Sequence, residues 1–278
     1  MENNNSTRNL TLRIEKIADF SFYTEGPAMD SLGNSFCTTL SAGIIFKVDI
    51  NGRITEWARS PSPNGQIILP DDSHLICDSI VGIRRFDSRG RWIKNETGKS
   101  CSGVQVYSPN DLVSDKDGNI YYTDSVRNTG KVCFLGKDGS ERILADKLDF
   151  PNGLALSYDE NYLYVAESYK NRILKIQLKG DVSMPDSQGI FAYLPKHPSQ
   201  KEVDNLPDGL ALDNKGNIWV AHYGMQAIQV LSPEGNLLDT IDTGLPLTSN
   251  LSFICPDSLL FTGGYVEPGP GGFFKLYL

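Results

Sequence analysis

Asn110-Asp-Leu-Val-Ser-Asp-Lys-Asp-Gly-Asn-Ile-Tyr-Tyr-Thr-Asp124, Asn152-Gly-Leu-Ala-Leu-Ser-Tyr-Asp-Glu-Asn-Tyr-Leu-Tyr-Val-Ala166 and Asp208-Gly-Leu-Ala-Leu-Asp-Asn-Lys-Gly-Asn-Ile-Trp-Val-Ala221 are copies of one phrase. Each opens on an amide or carboxylate beside Pro or Gly, continues as a short apolar run, turns, and enters a second apolar run. Further copies begin at Glu25-Gly-Pro-Ala-Met29, Asn64-Gly-Gln-Ile-Ile68 and Asn250-Leu-Ser-Phe-Ile254. The leading residues are 39, 46, 42, 56 and 42 positions apart, a spacing that suits four-stranded blades better than helical repeats.

A third alternating run follows each phrase, as at residues 43–49, 82–87, 130–135, 172–176, 227–231 and 273–277. Tight turns such as Asp49-Ile-Asn-Gly52, Asp87-Ser-Arg-Gly90 and Pro233-Glu-Gly235 then lead outward, with the Gly and Asx chemistry of hairpins. No sustained helical period is present. The pattern predicts an all-β chain, a six-bladed β-propeller of four-stranded antiparallel blades. The last module stops at Leu278 with three strands, and the run from Thr11 to Ala18 precedes the first phrase without a partner, so the N-terminal strand is expected to close the last blade. Residues 1–10 are expected to be a flexible N-terminus and residues 11–278 a single domain.

Composition narrows the function. With 26 basic and 34 acidic residues and a net charge of -8, the chain lacks the positive excess that a phosphate backbone demands, so nucleic acid is not an expected partner. No apolar run reaches 18 residues and the first residues are too polar for a signal peptide; a cytoplasmic protein with no membrane partner is expected. Nothing marks an oligomer interface, so a monomer is expected. Five cysteines without a CxxC pair suit a reducing compartment. Cys37, Cys77, Cys133 and Cys255 fall in apolar runs and are expected to be buried small hydrophobes.

In a propeller the innermost strands begin at one height around the axis, so Glu25, Asn64, Asn110, Asn152, Asp208 and Asn250 are expected to converge. Turn chemistry alone would account for the Asx residues, but Glu25 is a poor turn former. Two carboxylates and four amides supply hard oxygen donors, a set that suits Ca2+, with Mg2+, Mn2+ or Zn2+ as alternatives. Two carboxylates brought together away from water also call for a cation.

Glu25-Gly-Pro27, Pro109-Asn110-Asp111, Pro151-Asn152-Gly153 and Pro207-Asp208-Gly209 resemble, in order and over nearly the whole chain, the metal-ligand motifs of the senescence-marker-protein, gluconolactonase and luciferin-regenerating-enzyme family. The resemblance implies a divalent ion, usually calcium, held by Glu25, Asn110, Asn152 and Asp208, and a lactonase activity on a small-molecule substrate. It also implies Asp208 as base, with Glu25 as the alternative. The loops after each second strand are expected to shape the substrate pocket, with Asp124, Glu167, His222 and Tyr223 as candidate contacts beside Asn64, Tyr107 and Asn250. Three of the four loop residues also have a structural reading: a loop cap at Asp124, an ion pair with Lys170 or Arg172 at Glu167, a hydrogen-bonded structural histidine at His222. Sugar-lactone-hydrolysing relatives often carry Arg or Asn just before Pro-Asn-Asp, whereas this chain has Val106-Tyr107-Ser108, which suggests a less hydrophilic substrate. Two other readings remain open at this point: a pathway enzyme that uses the ion as Lewis acid for a cyclisation, isomerisation or elimination, and a binding propeller with structural calcium.

Overall fold

The inner strands of all six blades carry a register break at the head of the repeated phrase. It falls between Glu25 and Ala28, Pro63 and Gln66, Pro109 and Leu112, Pro151 and Leu154, Pro207 and Leu210, and Thr248 and Leu251. A bulge adds unpaired residues to one strand and re-aims their side chains. Asn64, Asn110, Asn152, Asp208 and Asn250 are themselves in the bulged segments, so each is freed from the ladder where its strand starts at the axis.

The computed structural model describes residues 12–179 and 188–278. The expected flexible segment 1–10, with Thr11, lies outside the described residues. Six four-stranded antiparallel sheets form the blades of the propeller. The sheet of the last blade is completed by Arg13–Phe20, which pairs with Gly271–Tyr277 from Arg13↔Tyr277 to Phe20↔Gly271. Thr24 fastens this closure: its hydroxyl donates toward the carbonyls of Gly263 and Gly272 at 2.8 and 2.7 Å, and its own carbonyl accepts from Ser249 Oγ at 2.9 Å. Pairing the two ends of the chain removes the free edge that an open array would expose.

The core lies between neighbouring blades. Trp219, Ile228, Leu251 and Phe261 fill one interface, Tyr121, Phe134, Leu154 and Val165 another, and Phe20, Cys37, Val48 and Phe273 the closing one. A second strand such as Ile218–Tyr223 is covered by blades on both faces, which is why it reads as a continuous apolar run rather than an alternating one. Outer strands alternate or turn polar, as Leu237–Asp242 does. The turns follow the expected Asx chemistry: Asp49 Oδ1 accepts from the backbone N–H of Asn51 and Arg53 at 2.8 and 3.0 Å, and Asp115 does the same for Asp117 and Asn119 at 3.1 and 2.9 Å.

Two features depart from the sequence reading. A two-stranded hairpin, Ser100–Cys101 with Val104–Gln105, is inserted ahead of the third blade. Cys255 is exposed near a turn that its apolar neighbours concealed, while Cys101 is the fourth fully buried thiol. Short 3-10 turns occur at Ser168–Lys170 and Glu202–Asp204. Among the described residues no helix is long and apolar enough to cross a membrane.

Candidate metal centre at the propeller axis

Glu25, Asn64, Asn110, Asn152 and Asp208 line one cavity of about 320 Å³. Its upper wall is Tyr23, Leu40, Phe150, Ser168, Tyr169, Leu206, Tyr223 and Glu267. Asn250, the sixth leading residue, sits deeper and lines the hollow that opens toward the opposite face, together with Asp111.

The two acids at the cavity floor are out of water. Burial pushes Glu25 up to about 8, aided by the charge of Asp111 and resisted by hydrogen bonds from the Gly26 N–H and the Asn250 amide. Asp208 is raised as well, first by burial and then by Glu25 and Asp111, while the Asn152 amide opposes the shift. Asp111 itself is pushed up to about 7 by burial. The Tyr23 hydroxyl donates to Glu25 Oε1 at 3.4 Å and stays protonated, its own ionisation raised by burial and by Glu25. Two amide oxygens, Asn64 Oδ1 and Asn152 Oδ1, are buried without a hydrogen-bond donor. Unpaired acceptors and charge-starved carboxylates in one floor are what a hard cation satisfies. Among the described residues no three His, Cys, Asp or Glu side chains group as a metal site. The donors here are two acids with amides, a composition that favours Ca2+ over Zn2+.

The axis is crowded because glycine makes room for it. A β-carbon on Gly65 would lie 2.1 Å from Asp111 Oδ1, and one on Gly209 would lie 2.2 Å from Asn250 Oδ1. Asp111 and Asn250 thus occupy the volume that the neighbouring blade's glycine leaves empty.

The remaining sequence candidates have other surroundings. Asp124 is fully buried and accepts from the backbone N–H of Tyr107 and Ser108 at 2.9 and 2.7 Å and from Lys131 Nζ at 3.0 Å. Glu167 accepts from the Asp149 N–H at 2.8 Å and from Arg172 Nε at 2.6 Å. His222 is buried, its ionisation lowered to about 3 by desolvation, with Nδ1 3.5 Å from Gln229 Nε2. Tyr107 is 61% exposed. Of the loop candidates, the cavity wall takes in Tyr223, whose hydroxyl donates to Glu267 Oε1 at 3.1 Å.

A model of the SMP-30/gluconolactonase/LRE-like region matches residues 16–262. The chain belongs to that family. A gluconolactonase of Zymomonas mobilis is 30% identical over 208 residues, a match that spans 69% of this chain and 58% of the Zymomonas protein. A solved gluconolactonase of Xanthomonas campestris superposes with a TM-score of 0.80 at 25% identity, covering 96% of this chain and 90% of the other. The calcium-binding protein regucalcin of Agrobacterium tumefaciens has the same fold, with a TM-score of 0.76 at 20% identity over 94% of this chain and 91% of its own.

Set beside these family members, the residues that sequence reading passed over are Asp111 as a third axial acid and the rim made by Tyr23, Phe150, Tyr169 and Glu267. One signal for Asp111 was available: it stands where four of the other five phrases place Gly after the leading residue.

Proposed function

We propose that this family member is a divalent-cation-dependent hydrolase, with calcium as the first choice of ion, acting on a lactone or related ester. The observation that carries this reading is the pair of buried carboxylates, Glu25 and Asp208, set with the unpaired amide oxygens of Asn64 and Asn152 in the floor of a cavity large enough for a small molecule. The gluconolactonases among its relatives support the reaction class.

Glu25, Asn110, Asn152 and Asp208 would hold the ion through side-chain oxygens. A bound divalent ion supplies charge that polarises a carbonyl oxygen and stabilises negative charge developing on it. Water adds to the acyl carbon, the acyl carbon–oxygen bond of the ring or ester breaks, and the departing alcohol oxygen takes up the proton that the attacking water gave to the base. Asp208 would accept the proton from the attacking water and return it to the departing alcohol oxygen, with Glu25 as the alternative base. Tyr23 keeps Glu25 oriented by its hydrogen bond, and Asn64 is placed to receive the substrate.

The test is acid release in a pH-stat from a panel of aliphatic, sugar and aromatic lactones, with chelated and calcium-restored protein side by side. Turnover that returns with calcium and is lost in Asp208→Asn, while the melting profile stays cooperative, is expected. No acid from any lactone, with calcium binding demonstrated by calorimetry, would overturn the hydrolase reading.

A further inference from the structure

Among the described residues, the cavity wall contains no basic side chain. Its titratable members are Glu25 and Asp208 on the floor, Glu267 at the mouth, and Tyr23, Tyr169 and Tyr223 between them. A divalent ion would be held by the two floor carboxylates, which leaves Glu267 as the acid of the mouth.

The nearest cations are committed elsewhere. Arg127 lies 3.4 Å above the Tyr169 ring and is tied to Asp149 at 2.6 Å and Glu202 at 3.5 Å, and Lys170 faces Asp149 at 3.7 Å. Among the described residues no Lys, Arg or His nitrogen approaches the Glu267 carboxylate within 4.0 Å. Among the described residues, the one side-chain hydrogen bond that Glu267 receives is from Tyr223, on Oε1. Around it stand rings: Tyr23 and Tyr223 meet edge to face with centroids 6.3 Å apart, and Phe150 and Tyr169 do so at 5.6 Å. A carboxylate oriented by a tyrosine among aromatic rings receives alkylammonium and rejects anions.

We infer that the cavity selects substrates bearing a cationic nitrogen, received by Glu267 among Tyr23, Tyr169 and Tyr223, with the acyl group held at the axis below. The inference rests on the hydrolase reading for the acyl group, while the cation subsite stands on the mouth residues alone. It also assigns Glu267 as a specificity residue.

The experiment is calorimetric binding to calcium-loaded protein of choline and of its neutral isostere 3,3-dimethylbutan-1-ol, in the native chain and in Glu267→Gln and Tyr223→Phe. The native chain is expected to prefer choline by about tenfold, on the scale of a partly desolvated cation held by rings and a carboxylate. Glu267→Gln erases that preference with the affinity for the neutral alcohol unchanged, and Tyr223→Phe reduces it. Glu267 is exposed, so its variant keeps the native melting profile. Equal affinity for the two probes, or a preference that survives Glu267→Gln, overturns the inference. A parallel pH-stat assay compares a choline ester with the 3,3-dimethylbutyl ester of the same acid. Turnover of both at equal kcat/KM leaves the hydrolase reading standing and sinks the cation subsite; selective choline binding with no turnover of either ester, or of any lactone, does the reverse.

Discussion

The carbonyl oxygen of Asp208 lies 2.2 Å from the point a β-carbon on Gly153 would occupy, and the α-carbon of Gly209 lies 2.5 Å from it. Adjacent inner strands therefore touch backbone to backbone at the height of the ligands, and the glycine after Asn152 is a requirement of close approach rather than of backbone angle. Gly153→Ala is expected to push the strand bearing Asp208 outward, at a cost of about 1–3 kcal/mol typical of overpacking. A lowered melting temperature together with weaker calcium binding checks this. Gly189→Ala, with nothing within 4 Å, serves as the control.

Stability of the chelated protein is expected to depend on pH in a direction set by the axis. Glu25 moves from 4.5 to about 8 and Asp111 from 3.8 to about 7, both by burial first. Between the ordinary and the raised values the folded chain holds protons that the unfolded chain has released. Their contribution to stability is complete below about pH 4, where both states are protonated, and declines as pH rises through 7 to 8. The melting temperature in chelator should fall between about pH 5 and about pH 8.5, and added calcium should recover most at the alkaline end, where it neutralises the exposed charges. A chelated protein whose melting temperature rises over that interval contradicts the assignment.

Asp111→Asn separates the third acid from the two ligands. The substitution keeps the shape that fills the space beside Gly65 and removes a charge that raises Glu25 and Asp208. In chelator the variant should melt higher than the native chain near pH 8 and alike below about pH 4, where Asp111 is protonated in both states. With calcium the order should reverse, because less negative potential attracts the ion; calorimetry is expected to read an affinity lower by about tenfold, one interaction of about 1.4 kcal/mol.

The propeller was legible because each blade repeats both its patterns: period-two runs, and an Asx or Gly signal at every turn. The leading residues were legible for the same reason, and five of the six do line the cavity. Asp111 and Glu267 were not, because their importance comes from what a neighbouring blade leaves open or presents: the absent side chain of Gly65 for one, the Tyr223 hydroxyl for the other. Cys255 misled since a thiol in an apolar run can still face outward where the strand ends at a turn, here Cys255↔Ser258.

Asp124 offers a sharp division between binding and architecture. Its carboxylate accepts from the backbone N–H groups of Tyr107 and Ser108 as the chain enters the third blade, and it is the partner of the buried Lys131, 9% exposed. Glu167 performs the same closure on the Asp149 N–H one blade on, and Asp78 on the Ser62 N–H one blade earlier, at 2.8 and 2.9 Å. Three acids at the ends of three second strands thus secure the loops that deliver Asn64, Asn110 and Asn152 to the axis. Removing one partner of a buried pair leaves the other uncompensated, which costs about 3–5 kcal/mol. Asp124→Ala should therefore lower the melting temperature strongly and weaken calcium binding through a displaced Asn110, while KM at saturating calcium stays near the native value. A variant with native stability and a raised KM would instead place Asp124 against the substrate.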